Sequence, residues 1–493
     1  MDVLKWLPDF QVSAETDEEL QNYFLKTLEV QKIIQGRSWL VLGRKGTGKT
    51  AIFEYLKKAK PSDINNYVTI PLNFKDYPWP IHQLYKEALA GELSAYQKSW
   101  RYLFFVKAVV KLIELKKHEG QSLNNELKWA EKYINAIYGN PDPSMLEVLL
   151  SKIGRVKTIS GPKIDLVDNV SFELGEVSFE EIASSKELQS KLRTNAFTLM
   201  EHFEKIFINN CAEYKFLIIL DQLDENWLRD HVKEYSNALI NLLNVGRSIE
   251  IDGLLKNHLK VVPFLRTDIY HDLRFNDKNK LLQDSAIVIS WNQESLDDMF
   301  FERIKKYLPE QLNLDLSRKT GCIFEPTFVR QGTPVFKYIS RRSFFRPRDI
   351  IVYLNKVRER HKENKSGLYT SAELYEADQD ASASIYGEII DEWTNQFPEI
   401  ENLLTVLQTI EIDTFDYSDF QSKYKVIFLG SEDWRVKDRL QFLFDNSIIG
   451  QKHQGRWEYV CSMPNLKMNT EKEFRTHHAL KYRLHLKEKR SNQ

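Results

Sequence analysis

The chain has 493 residues, 42% of them hydrophobic and 12% aromatic, enough to bury several cores and too apolar for wholesale disorder. Its 69 basic residues nearly cancel its 70 acidic ones, so no global charge drives it onto nucleic acid or an anionic membrane. The three cysteines, Cys211, Cys322 and Cys461, lie far apart and exclude both a disulfide framework and a CxxC-type zinc site.

In chain order, Met1–Phe10 carries Asp2 and Asp9 and lacks the apolar core of a secretory signal. Leu20, Tyr23, Phe24 and Leu28 recur at helical spacing and predict one amphipathic helix over Ala14–Gln35. Ser38–Leu42 is a strand-like apolar run that stops at Gly43, and Thr50–Ala59 is helical. Tyr67–Leu72 alternates like a second strand and is ended by Pro71, Pro78 and Pro80. From Ile81 to Asn209 the pattern is a mainly helical insertion. Within it Ile164–Val170 and Ser171–Phe179 alternate with a period near two, predicting a hairpin that turns at Gly175.

Core strands resume at Phe216–Asp221, Leu259–Leu265 and Ala286–Ser290, separated by helical stretches. Strands alternating with helices predict an α/β fold with a parallel sheet. The strongest apolar run, Phe216–Leu220, is too short to cross a bilayer, so no membrane association is expected and the expected location is cytoplasmic. After Trp291 the pattern is helical to Arg360. His361–Gly367 reads as a linker, Ser371–Trp393 as a helix and Pro398–Val460 as a compact α+β unit. The expected division is a first core part over 1–80, the insertion over 81–209, a second core part over 210–291, a helical lid over 292–370, a C-terminal domain over 371–465 and a basic tail over 466–493.

Gly43, Arg44, Lys45, Gly46, Thr47, Gly48, Lys49 and Thr50 satisfy GxxxxGK[ST], and Ala51 opens the helix behind them. Glycines let such a loop fold its N–H groups around phosphates, Lys49 brings a positive charge to the β- and γ-phosphates, and the Thr50 hydroxyl can ligate Mg²⁺. The helix then points the positive end of its dipole at the anion. Phe216–Leu220 followed by Asp221 is a buried strand ending in an acid, the second Mg²⁺ residue such a loop requires. The expected cofactors are therefore a nucleoside triphosphate and Mg²⁺.

Gln222 stands where many P-loop ATPases place a catalytic Glu, and it cannot accept a proton as a carboxylate does. Asp224 and Glu225 are the remaining residues able to position or deprotonate the attacking water, so slow hydrolysis is expected. The block Asp221-Gln-Leu-Asp-Glu225 resembles the DxLDE form of STAND-class ATPases, including the NACHT group. Leu259–Asp268 resembles the next core strand of AAA+ and STAND proteins, with Arg266 and Thr267 at the place of a γ-phosphate sensor. Ser343–Asn355, with Arg346 and Arg348 flanking Pro347, resembles the lid segment that carries a second γ-phosphate contact in origin-recognition and STAND ATPases. The sequence leaves the choice between the two arginines open.

Together these blocks resemble a poorly characterised bacterial P-loop ATPase family related to AAA+/STAND proteins, some of whose members are associated with anti-phage defence. The resemblance implies an ASCE-type sheet, a helical lid and a winged-helix domain, which Pro398–Pro464 could supply. It also implies ATP rather than GTP; no guanine-reading Asn-Lys-x-Asp stretch stands out. The winged helix would use Trp434–Phe444 as its third helix, where Arg435, Lys437 and Arg439 are diluted by Asp433, Asp438 and Asp445. The tail, with Arg475, Lys481, Arg483, Lys487, Lys489 and Arg490, reads as a solvated, partly helical end. Two functions follow from different classes. One is a nucleotide-controlled switch or assembly ATPase that works on itself or a partner effector protein. The other is a nucleic-acid-dependent motor or loader.

Overall fold

The computed structural model describes residues 3–75, 92–149, 201–224, 232–309, 314–430 and 432–489. Contacts divide the chain into two compact units: Lys26–Gly43 with Ile52–Val288, and Met1–Leu25 with Arg44–Ala51 and Ile289–Gln493. The hairpin expected around Gly175 and the residue Glu225 lie outside the described residues.

The first unit is built on five strands: β1 (Leu40–Gly43), β2 (Tyr67–Asn73), β3 (Lys215–Asp221), β4 (Leu259–Arg266) and β5 (Ala286–Val288). They form a parallel sheet in the order β2-β3-β4-β1-β5. β1 and β4 are buried throughout and β3 nearly so, as a parallel sheet covered on both faces requires. One strand, β4, stands between β1 and β3, which is the ASCE order. The register sets Gly43 beside Arg266 and Asn73 beside Asp221, so the carboxyl ends gather at one edge.

Lys260, inside β4, is buried because its amine closes the end of helix α1 (Leu28–Gln35). Nζ donates to the carbonyls of Ile33 at 2.6 Å and Gly36 at 2.9 Å. Desolvation lowers this amine to about 8. Helix α2 (Lys49–Lys58) follows the phosphate loop. The described part of the insertion is helical: α3 (Glu92–His118) and α4 (Asn125–Tyr138), with residues 201–210 also helical. α3 buries Trp100, Phe104 and Phe105, and Trp100 Nε1 donates to the Ala238 carbonyl of α5 (Val232–Ile251) at 2.9 Å. It is a packed arm.

In the second unit α6 (Gln293–Tyr307), α7 (Pro347–Arg360) and α8 (Ser371–Trp393) carry one buried cluster that includes Leu296, Phe300, Ile350, Leu354 and Leu374. α6 and α8 begin in reciprocal capping boxes, Asn292 with Ser295 and Thr370 with Glu373. The N-terminal segment is strapped to this cluster. Phe10 exchanges two hydrogen bonds with the Asn355 side chain, at 3.0 and 2.8 Å, and Asp17 pairs with buried Arg303 at 2.8 Å. One continuous helix over Ala14–Gln35 is not what forms: Phe24 and Thr27 are extended and split it into Leu20–Tyr23 and α1. The spacing of the apolar residues is satisfied by two short helices, whose contacts belong to different units.

Beyond α8 come α9 (Ile400–Ile410), strand β6 (Thr414–Phe415), α10 (Tyr417–Ile427), α11 (Asp433–Asp445) and the antiparallel hairpin β7 (Ile449–His453) with β8 (Arg456–Glu458). α11 covers Trp434–Phe444, the stretch that the sequence singled out as a helix. The end of the chain requires a correction. It is not a solvated tail, because β9 (Phe474–Thr476) inserts between β7 and β6 in the order β8-β7-β9-β6. Leu480, Leu484 and Leu486 are buried behind it, and Arg475 pairs with buried Asp413 at 2.9 Å. Its basic residues are spaced around an apolar stripe that the charge run conceals. Among the described residues no helix is long and apolar enough to cross a membrane.

Candidate nucleotide site

Three strands end on residues with chemistry. β1 ends at Gly43, where the phosphate loop begins; β3 ends at buried Asp221; β4 ends at Arg266, which is also buried. Gln222 follows Asp221 in the left-handed region, at φ 60, turning the chain sharply off the sheet edge. Arg266 grips Asp268 with two hydrogen bonds, Nη2 to Oδ2 at 2.6 Å and Nε to Oδ1 at 3.1 Å, and its Nε lies 3.8 Å from Asp224 Oδ2. The guanidinium at the sensor place and a carboxylate assigned to the attacking water are thus one ion-pair network. Asp224 comes from the turn after β3, and Arg266 with Asp268 from the end of β4.

The loop itself, Arg44–Ala51, is held by contacts within the second unit. Gly46 and Gly48 take φ of 78 and 97, left-handed conformations that glycine adopts without penalty. Lys49 Nζ donates to the Arg44 carbonyl at 3.1 Å, and Thr47 Oγ1 donates to the same carbonyl at 2.8 Å. Trp291 Nε1 donates to the Thr47 carbonyl at 2.9 Å. Arg44 reaches the end of α11, donating to the Asp445 carbonyl at 2.5 Å and to Asn446 Oδ1 at 3.2 Å.

The lid turn is built by local bonding. Ser343 Oγ donates to the Ser340 carbonyl, Asp349 Oδ2 accepts from the Phe344 amide at 2.9 Å, and Phe345 turns left-handed at φ 52. Burial pushes the Asp349 carboxyl up, against the opposing pull of Arg346. Pro347 then starts α7 at its first turn, with Arg346 as the N-cap. Both arginines meet the phosphate loop: a Cβ added at Gly46 would lie 3.3 Å from Arg348 Cβ and 3.5 Å from Arg346 Cδ. Phe344 is meanwhile buried in the C-terminal core, so the turn serves packing and loop contact together.

The sequence missed four partners of these groups: Trp291, Asn446, Glu388 and Glu392. Glu392 holds Arg346 at 2.8 Å, and Glu388 holds Arg348 at 3.0 Å. The two acids lie one turn apart on α8, and that spacing is their only local signal. For Mg²⁺, the Thr50 hydroxyl and the Asp221 carboxylate are hard oxygen donors of the kind it takes, and the two left-handed glycines give the loop the curvature of a phosphate cradle. Among the described residues no group of three or more His, Cys, Asp or Glu could hold a metal ion.

Comparison with known proteins adds a family model, one curated relative and solved structures of distant similarity. Residues 294–389 match the FunZ-associated C-terminal helical domain, which covers α6 through most of α8. An Escherichia coli (strain K12) protein of 80.3 kDa, named after transposon gamma-delta, is 23% identical over 428 residues, 83% of this chain. The chain spans about half the length of that curated relative, 55%. Among solved structures, the Aeropyrum pernix ORC1 protein in complex with DNA covers 98% of this chain and 96% of its own, at 13% identity and a TM-score of 0.37. Cdc6p from Pyrobaculum aerophilum covers 98% and 97%, at 10% identity and a TM-score of 0.31. The P-loop ATPase architecture of this chain stands on its own strand order and loop.

Proposed function

We propose that the chain binds Mg·ATP through Gly43–Ala51, hydrolyses it slowly and acts as a nucleotide-controlled switch or assembly module. Lys49 and the loop amides would hold the phosphates, and Thr50 with Asp221 would hold Mg²⁺, which neutralises charge on the β- and γ-phosphates. Arg266 would read the γ-phosphate. Asp224 or Glu225 would orient water; the tie between Arg266 and Asp224 couples phosphate sensing to that step. The anti-phage setting that the sequence resemblance implies belongs to this reading.

One observation carries it: the loop touches the lid arginines at Gly46 and the end of α11 through Arg44. A ligand that reshapes the loop therefore acts directly on two C-terminal elements. The competing reading is a nucleic-acid-dependent ATPase that would use α11 and the basic end of the chain. Arg435 and Arg439 of α11 lie 3.6 and 3.4 Å from Glu399 in partly exposed pairs, and Asp433, Asp438 and Asp445 dilute the positive charge of the helix. Calorimetry with ATP in magnesium buffer, turnover with and without DNA or RNA, and mass measurements with ADP and a non-hydrolysable ATP analogue separate the two. Binding, slow turnover indifferent to nucleic acid, and ATP-dependent assembly are expected, with all of them lost in Lys49→Ala. Severalfold stimulation by nucleic acid without assembly would replace the switch with the motor.

A further inference from the structure

Beside the phosphate loop two cations share one carboxylate. Arg348 Nη1 donates to Glu388 Oε2 at 3.0 Å, and Lys45 Nζ lies 4.0 Å from the same oxygen. These side chains are about one-third exposed, 29% for Lys45, 32% for Arg348 and 34% for Glu388. One turn further along α8 the arrangement is different. Glu392 holds Arg346 at 2.8 Å with both side chains buried, at 3% and 9%. Gly46 of the loop touches both arginines.

Burial separates the roles of the two pairs. Opening Arg346–Glu392 would strand a charge away from water, so that pair is an anchor. The Arg348–Glu388–Lys45 cluster faces water, is weakly held and carries an excess of positive charge, so a stronger anion can take it apart cheaply. A triphosphate seated in the loop is such an anion. Lys45 belongs to the loop, and Arg348 stands against Gly46.

We propose that Glu388 competes with nucleotide phosphate for Lys45 and Arg348, and that Arg348, rather than Arg346, is the lid arginine that reaches the phosphates. Exchange of one anion for the other moves the Arg348 side chain off α8, which makes Glu388 the residue that sets nucleotide affinity and couples it to α8. This inference rests on the reading of Gly43–Ala51 as a phosphate loop.

Calorimetric titration of the full chain with a non-hydrolysable ATP analogue and Mg²⁺ tests it. Glu388→Gln removes the competing charge and is expected to tighten binding about threefold, an exposed ion pair's worth. Arg348→Ala is expected to weaken it about tenfold, as loss of a charge-assisted phosphate contact does. Glu388→Ala serves as a second variant lacking the carboxylate. A merely structural Glu388 would lose affinity on substitution, so a gain is diagnostic. Wild-type binding with both Glu388 variants equal to it or weaker overturns this proposal alone. Absence of wild-type binding overturns the phosphate-loop reading and this proposal with it.

Discussion

At the scale of single residues the loop is over-determined at Gly46. Its φ of 78 lies in the left-handed region, and a Cβ there would press on Arg348 Cβ at 3.3 Å. Gly46→Ala therefore carries a backbone cost of about 1–2 kcal/mol, and it pushes a lid arginine from its seat. The backbone cost falls on the folded loop with or without ligand and is expected to lower the unfolding midpoint, while the displaced Arg348 is expected to cost about tenfold in nucleotide affinity. Titration with a non-hydrolysable ATP analogue reads this, and an unchanged affinity would count against the loop–lid contact. The loop was legible because its pattern is a local backbone prescription, glycines and one lysine in a fixed run. Glu388, Glu392 and Trp291 were not, because their partners lie far off in the sequence and the one-turn spacing of the two acids does not say what they face.

At the scale of elements the sheet depends on how closely α5 rides over the residue that precedes β1. Gly246, in α5, leaves room for the buried indole of Trp39; a Cβ there would lie 2.8 Å from Cζ3 and 3.1 Å from Cε3. In an exposed helix Gly→Ala gains about 1 kcal/mol of propensity. Against a rigid buried ring, overpacking costs about 1–3 kcal/mol, so Gly246→Ala is expected to be a net destabilisation. Urea unfolding followed by tryptophan fluorescence checks the sign; a higher midpoint would show that the indole can move aside. The strands were readable because their apolar runs have no other use, as in Phe216–Leu220. α8 was found within its predicted bounds, Ser371–Trp393, because Thr370 and Glu373 cap its start. The split between Leu20–Tyr23 and α1 and the return of β9 into the sheet were hidden, since the partners that decide them, Arg303 and the edges of β6 and β7, are distant in sequence.

At the scale of the whole molecule the C-terminal core is tied to the lid turn by a histidine that must stay neutral. The His477 ring stacks on Phe344 with centroids 4.3 Å apart, meets Tyr459 edge-on at 4.5 Å, and accepts the Ala479 amide through Nδ1 at 3.2 Å. Desolvation, with Arg346 and Arg342 nearby, lowers it to about 3; burial and Arg475 also hold His478 well below its ordinary value. In the unfolded chain a histidine takes its proton near 6.5. Between that pH and 3 the unfolded state binds more protons, so the stabilisation is complete above 6.5 and is lost as pH falls toward 3. At pH 5 His477 alone accounts for a loss of about 2 kcal/mol. Asp349, whose carboxyl is pushed up by burial, works in the opposite direction, so the comparison is made between wild type and variant. His477→Asn cannot titrate here, and its amide oxygen can still accept the Ala479 amide. It is expected to lose about 2 kcal/mol less than wild type between pH 7 and pH 5 in denaturant melts. Equal losses in the two proteins would mean that His477 carries a proton inside the fold.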